Sequence, residues 1–194
     1  MKEVYAFDFD GTLTTSDSLA GILLFRAGRL RFVTGMLLLA PWIALALLGL
    51  YDNGRAKERL FAHFFRGMAI ADFDNLCRRY AAASSHILRP EGLEAISKAQ
   101  ADGAEVLVVT ASVENWVQPF LPGVRVVGTQ VATDHGVLTG RFATKNCHGE
   151  EKVRRLLALC PDRDSYRLTA FGDSSGDAAL LALADEVHYK PFRR

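Results

Sequence analysis

Asp8 and Asp10 lie where the apolar run from Val4 to Phe9 gives way to Gly11-Thr12-Leu13-Thr14. On an extended chain, side chains two positions apart project to the same side, so both carboxylates face one pocket at the strand end. Carboxylates this close repel, and one takes up a proton unless a cation is present. Their oxygens suit Mg²⁺, which binds a few carboxylates and keeps several of its waters. Gly11 lets the backbone turn sharply, and Thr12 offers a hydroxyl and an N–H to a phosphate. Two aspartates around one residue are by themselves only a polar strand end. Directly after an apolar strand, and followed by Gly-Thr-Leu-Thr, they are a strong signal.

Three further segments carry candidate chemistry. In Gly172-Asp173-Ser174-Ser175-Gly176-Asp177, Asp173 occupies a strand end and can complete a metal site, while Asp177 reads equally as a ligand and as a helix N-cap. Thr110-Ala111-Ser112 ends another apolar run with two hydroxyls, which suit a phosphoryl oxygen or the cap of a helix over residues 114–120. Lys152 follows Gly149-Glu150-Glu151 on a helix; a lysine there is ordinarily a solvated charge, and only the company of the other segments makes it a clamp on phosphate.

These residues need a scaffold that brings strand ends together. Runs 4–9, 105–110 and 168–172 read as buried strands, and 124–129 and 186–189 as further ones. Helical patterns at 91–102 and 177–184 alternate with them, which predicts a parallel α/β sheet covered on both faces. Alternating runs around Asp134-His135-Gly136 predict a β-hairpin between 130 and 142. The region from 14 to 88 shows no strand pattern and reads as helices inserted after the first strand. The predicted organisation is an α/β core over 1–14 and 89–194, with a helical cap over 15–88.

Composition narrows the function. With 23 basic and 22 acidic residues, the net charge of +1 gives no footprint for nucleic acid. Cys77, Cys147 and Cys160 form no closely spaced pair, consistent with buried thiols in a reducing compartment. The first residues enter the aspartate-bearing strand directly, with no pattern of a cleaved leader, so a cytoplasmic location is expected.

One segment of the cap is unusual. Residues 32–51 carry no charge and are long enough to cross a bilayer, with Arg26, Arg29 and Arg31 before them and Arg55 and Lys57 after. A single crossing would separate Asp8 and Asp10 from every later motif. Pro41 instead predicts two short helices folded back as a hairpin. Two placements stay open: packing beneath the cap, or dipping into the inner leaflet of the cytoplasmic membrane with arginines at the headgroups.

In this order and spacing, the four motifs resemble the haloacid dehalogenase superfamily, in particular its phosphoserine-phosphatase-like subfamily IB, over nearly the whole chain. The resemblance implies a Rossmann-like core and a capped phosphatase. It gives Asp8 as nucleophile, Asp10 as general acid/base, Thr110 as the motif-two hydroxyl and Lys152 as the motif-three lysine, with Asp173 and Asp177 as the motif-four acids. It places Mg²⁺ on Asp8, the Asp10 carbonyl and Asp173, and phosphate beside Gly11, Thr12, Thr110, Ala111, Ser112 and Lys152. The apolar cap stretch and the segment from Leu138 to Lys152 are also similar to phosphatidylglycerophosphatase C, a membrane-associated member, so the implied substrate is a soluble or a lipid phosphate monoester. Thr110-Ala111-Ser112 departs from the Ser-Gly-Gly of phosphoserine phosphatases, Asp17 stands where they carry a glutamate, and Arg59 corresponds loosely to their carboxylate-binding cap arginine. A receiver-like signalling domain also carries clustered acids on an α/β sheet, but an acid/base at Asp10 favours turnover over a lasting phosphoaspartate.

Overall fold

The computed structural model describes residues 1–193. Strands β1 (Lys2–Phe7), β2 (Glu105–Val113), β3 (Arg125–Thr129), β6 (Tyr166–Gly172) and β7 (Glu186–Tyr189) form one parallel sheet in the order β3-β2-β1-β6-β7. Between β3 and β6 lies a separate hairpin of β4 (Val131–Asp134) and β5 (Val137–Phe142). Its turn places His135 and Gly136 at φ 46° and 77°, the left-handed pair that a tight hairpin requires.

Both faces of the sheet are covered, as the near-continuous apolar strands require. Val4, Ala6, Leu107, Val109, Leu168 and Ala170 pack on one side against Leu156 of α6 (Glu150–Leu159) and Leu180 of α7 (Ala178–Leu183). On the other side, Phe7, Val108 and Phe171 meet Ile96 of α4 (Pro90–Ala101) and Trp116 of α5 (Glu114–Val117). The alternation along β1 and β6 is the period-2 pattern of a strand buried on both sides. The architecture is thus the expected α/β Rossmann-like core with an inserted helical cap.

The cap is α1 (Ser18–Leu47), α2 (Asn53–Phe65) and α3 (Ile70–Ala83). It leaves and rejoins the core through a narrow neck, where Thr15 N–H donates to the Ile87 carbonyl at 2.8 Å and Arg89 N–H to the Leu13 carbonyl at 2.8 Å. A second tie comes from the hairpin. Leu138 N–H donates to the Met68 carbonyl at 2.8 Å and Gly67 N–H to the Leu138 carbonyl at 2.9 Å. Leu138 is fully buried, and Phe142 lies beside the cap cluster of Phe61, Phe65 and Phe73.

Three expectations are corrected here. Residues 32–51 do not fold back at Pro41: the helix continues through it, and its break falls at Gly28, whose φ of 71° suits glycine. A proline inside a helix removes one hydrogen bond without reversing the chain. Nor is this segment a buried cap core, because only 6% of the most apolar 18-residue window of α1 is buried. In addition, β2 runs to Val113 rather than ending at Thr110, with a register irregularity against β3 between Val109 and Val113. Thr110-Ala111-Ser112 therefore lies within the strand, and the cap position of α5 is Val113, which makes no side-chain cap bond.

The hairpin–cap contact is testable at Gly140, which has φ 83° and where an added Cβ would lie 2.9 Å from Ala62 Cβ. Gly140→Ala should lower the unfolding free energy by about 1–3 kcal/mol in urea titrations. An unchanged midpoint would mean that the hairpin does not clamp α2.

Candidate active site

The motifs meet at the carboxyl ends of β1, β2 and β6, the crevice where α/β sheets characteristically bind ligands. Asp8 directly follows β1, and its N–H donates to the Phe171 carbonyl at 2.9 Å, so the β1–β6 pairing fixes it. Past it the chain turns through Gly11 at φ 82°; a Cβ there would lie 2.5 Å from Asp173 Oδ2. Only a residue without a side chain allows that approach.

Lys152, in the first turn of α6, is fully buried. Its Nζ donates to Asp8 Oδ1 at 2.5 Å and to Asp177 Oδ1 at 2.6 Å. Burial acts to lower the Lys152 pKa, but the two carboxylates override it and hold the ammonium above the usual lysine range. Burial pushes Asp8 up to about 7, with Lys152 opposing and Asp177 adding to the rise. Burial also acts to raise Asp177, yet Lys152 and backbone hydrogen bonds keep it below the usual carboxylate range. Those bonds come from the N–H groups of Asp173 and Ser174 to Asp177 Oδ2, at 3.1 and 3.0 Å, and the Ser174 hydroxyl adds a third at 2.9 Å. Asp177 is therefore both an anchor for Lys152 and part of the capping box of the 175–177 turn.

Asp8, Asp173 and Asp177 bring carboxylate oxygens within 4.8 Å of one another, a grouping able to hold a metal ion. The donor set is all oxygen, as a hard divalent cation requires. Arg193 reaches Asp173 with its guanidinium, so a positive charge already faces that carboxylate. The Thr12 hydroxyl, expected at the phosphate, is buried and has no hydrogen-bond partner among the described residues.

Asp10 points elsewhere. Its Oδ1 accepts from Ser18 N–H at 2.6 Å, and its Oδ2 from the Ser112 hydroxyl at 2.5 Å and the Ser18 hydroxyl at 3.0 Å. Trp116 Nε1 in turn donates to Ser18 Oγ at 3.1 Å. Burial first, then Asp17, raises the Asp10 pKa, and the serine bonds oppose the rise. Ser112, expected at the phosphate, is thus bonded to Asp10. The Thr110 hydroxyl accepts from Ser112 N–H at 3.0 Å.

A cavity of about 130 Å³ joins Asp8, Asp10, Asp17, Thr110, Ser112 and Lys152. Asp17 lines it while also capping α1 through Ala20 N–H at 2.8 Å. Arg59 is not among its lining residues; it stacks over Trp42, 4.1 Å from the ring centroid, and donates to the Tyr51 hydroxyl. The cap cation that enters the cavity is Lys57, whose Nζ donates to the Ala111 carbonyl at 2.7 Å. Burial lowers its pKa, opposed by Asp10 and Asp17. Positions 57 and 59 lie about 200° apart around a helix, so one faces the core when the other faces α1. Lys57 was missed in the sequence; its place among the buried Ala56, Leu60 and Phe61 of α2 was the available signal. His148 also lines the cavity and opens it to a larger cleft of about 1040 Å³ beside Asp52, Arg55 and Asn146.

Replacing Lys152 by methionine leaves two buried carboxylates without their cation. In chelator at neutral pH, Lys152→Met should lose about 3–5 kcal/mol of stability. Asp8 and Asp177 would then have folded-state pKa values above their unfolded ones, a contribution that favours the fold at low pH and is lost as pH rises. The deficit should therefore shrink on acidification. A deficit independent of pH in urea unfolding would refute this account.

Comparison with known proteins agrees with the geometry. A family model of haloacid dehalogenase-like hydrolases matches residues 5–182. Protein CicA of Caulobacter vibrioides is 38% identical over 195 residues, covering 97% of this chain and 86% of that protein. Among solved structures, a protein of unknown function from Bordetella pertussis Tohama I superposes with a TM-score of 0.85 at 18% identity, covering 96% of this chain and 89% of that one. A substrate-bound phosphoserine phosphatase superposes with a TM-score of 0.66 at 15% identity, covering 97% and 86%. These structural likenesses establish a shared fold; the family match establishes membership. The chain, an enzyme by its family, belongs to the haloacid dehalogenase-like hydrolases.

Proposed function

We propose that the protein is a Mg²⁺-dependent phosphate monoester hydrolase that works through an aspartyl-phosphate on Asp8. The observation that carries this reading is the buried Lys152, which binds one oxygen of Asp8 and leaves the other, Oδ2, as nucleophile. Oδ2 attacks phosphorus in line, the bond to the leaving oxygen breaks, and Asp10 delivers its proton to that oxygen. Water then attacks the same phosphorus, Asp10 takes up its proton, and the Asp8 carboxylate is released with inorganic phosphate. The raised pKa of Asp10 suits a group that must hold a proton in one step and accept it in the next.

Lys152 and the Thr110 hydroxyl, from residues that line the cavity, would offset charge on the equatorial phosphoryl oxygens, and the buried Thr12 hydroxyl would be a further donor. Asp8 and Asp173 would hold Mg²⁺, together with the Asp10 carbonyl that the family resemblance adds, and the ion would supply charge neutralisation at the phosphoryl oxygens. Asp177 acts by holding Lys152 and the 173–174 backbone. Lys57 and Asp17 face the leaving group from the cap.

A specific observation favours a lipid-borne substrate over a soluble one. The apolar, exposed end of α1 runs straight into Asp52–Arg55, which line the cleft leading to the site. Phosphatidylglycerophosphatase C, which the sequence resembles, would be a counterpart acting on a lipid phosphate at the membrane surface.

Asp8→Asn should reduce Mg²⁺-dependent phosphate release by about 10⁴-fold or more and abolish labelling of the enzyme by radioactive phosphate, with circular dichroism unchanged. Residual turnover near wild type would exclude Asp8 as nucleophile. Ser112→Ala removes a donor to ionised Asp10, so burial and Asp17 prevail further. The limb of the pH–rate profile governed by Asp10 should move to higher pH; a slower enzyme with an unmoved profile would assign Ser112 a purely steric role.

A further inference from the structure

The outer half of α1 presents a face that the rest of the molecule leaves uncovered. Phe32, Met36, Leu39 and Ile43 turn inward onto the core cluster, and Gly35 lies close against His63 and Phe64 of α2. On the opposite side, Leu30, Val33, Leu37, Ala44 and Leu48 recur at helical spacing and are all exposed, with Leu30, Leu37 and Leu48 at 78%, 69% and 71%. Leu38, Leu47 and Leu50 widen the patch. A helix that met only water would carry polar residues there.

Charge identifies what covers it. From Ser18 to Tyr51 there is no acidic residue, and Arg26, Arg29 and Arg31 stand at the Gly28 end of the apolar face. Arg26 and Arg31 line, with Thr34, His63 and Phe64, a cavity of about 220 Å³. The cavity therefore presents two guanidiniums and an imidazole beside an apolar stripe. A second copy of the chain would bring the same acid-free helix face and supply no partner for these arginines. An anionic bilayer supplies both components, acyl chains for the leucines and phosphate headgroups for the arginines.

We infer that the outer half of α1 is a membrane-docking face, lying in the surface of an anionic bilayer, with Arg26, Arg31 and His63 forming a subsite for a lipid headgroup phosphate. This subsite is separate from the catalytic cavity. The helix does not cross the bilayer in this pose: its inward side stays packed on α2, its first residue Ser18 is bonded to Asp10, and α2, which follows it, is bonded to the core through Lys57 and Ala111. Docking in this pose brings the α1–α2 turn, and the cleft beside it, to the lipid boundary. The inference rests on the exposure and charge of α1 and stands apart from the proposed reaction.

The test is co-sedimentation of the full chain with phosphatidylcholine vesicles, with and without phosphatidylglycerol, alongside Mg²⁺-dependent turnover of a soluble aryl phosphate. Binding should require the anionic lipid, weaken as salt rises, and disappear in Leu37→Glu/Leu48→Glu. Arg26→Ala and Arg31→Ala should each weaken it about fivefold, with aryl phosphate turnover retained. In the wild-type chain, brominated lipids should quench tryptophan emission through Trp42, a readout independent of variant folding. A monodisperse protein that binds neither vesicle overturns the inference, as does a concentration-dependent dimer broken by Leu37→Glu that ignores lipid. Loss of aryl phosphate turnover with vesicle binding intact would count against the proposed reaction alone.

Discussion

The site depends on one fully buried ammonium group. Lys152 holds Asp8 at the end of β1 and Asp177 at the turn after β6, two segments far apart in the chain. Removing a lysine from water costs several kcal/mol unless its charges are matched, and here two carboxylates are drawn in to match it. The remaining oxygen of Asp177 then gathers the N–H groups of Asp173 and Ser174, which sets the backbone that carries the third carboxylate. A single cation thus organises three carboxylates at two strand ends.

Asp10 is governed by a different set of contacts. Its carboxylate is shared between Ser18, the first residue of α1, and Ser112 in β2, with Trp116 bonded to Ser18 behind them. The group proposed to move protons is therefore held jointly by cap and core. Displacing the first turn of α1 would change the solvation of Asp10, and with it the proton affinity that the chemistry needs. The hairpin, bonded to the α2–α3 turn, limits such displacement from the other side. Cap position and acid strength are coupled both through the charge of Asp17, the N-cap of α1, and through the Ser18 hydrogen bonds.

The same cap helix has a second character beyond Gly28. Its first turns are buried at Ile22 and Leu23, whereas its later turns leave leucines in solvent that a protein core would have taken in. The change occurs where the helical path breaks. Apolar surface of this extent is unfavourable in water, which is why α1 is proposed to meet a bilayer rather than water alone.

Much of this was legible in the residues themselves. Continuous apolar runs marked the central strands β1, β2 and β6, because a strand buried on both faces has no place for polar side chains. Asp8, Asp10 and Asp173 were visible because each stands where an apolar strand runs into a loop. The tertiary structure alone decided matters that depend on which way a helix faces. Lys57 and Arg59 are equivalent by residue type, but helical rotation sends one into the cavity and the other onto Trp42. Ser112 carries a hydroxyl that suits phosphate equally well, yet the extension of β2 to Val113 gives it to Asp10. Hydropathy marked residues 32–51 as apolar, but hydropathy has no direction. Only packing against α2 showed which side of α1 is satisfied and which is left open, because burial is a property of neighbours rather than of the chain that carries them.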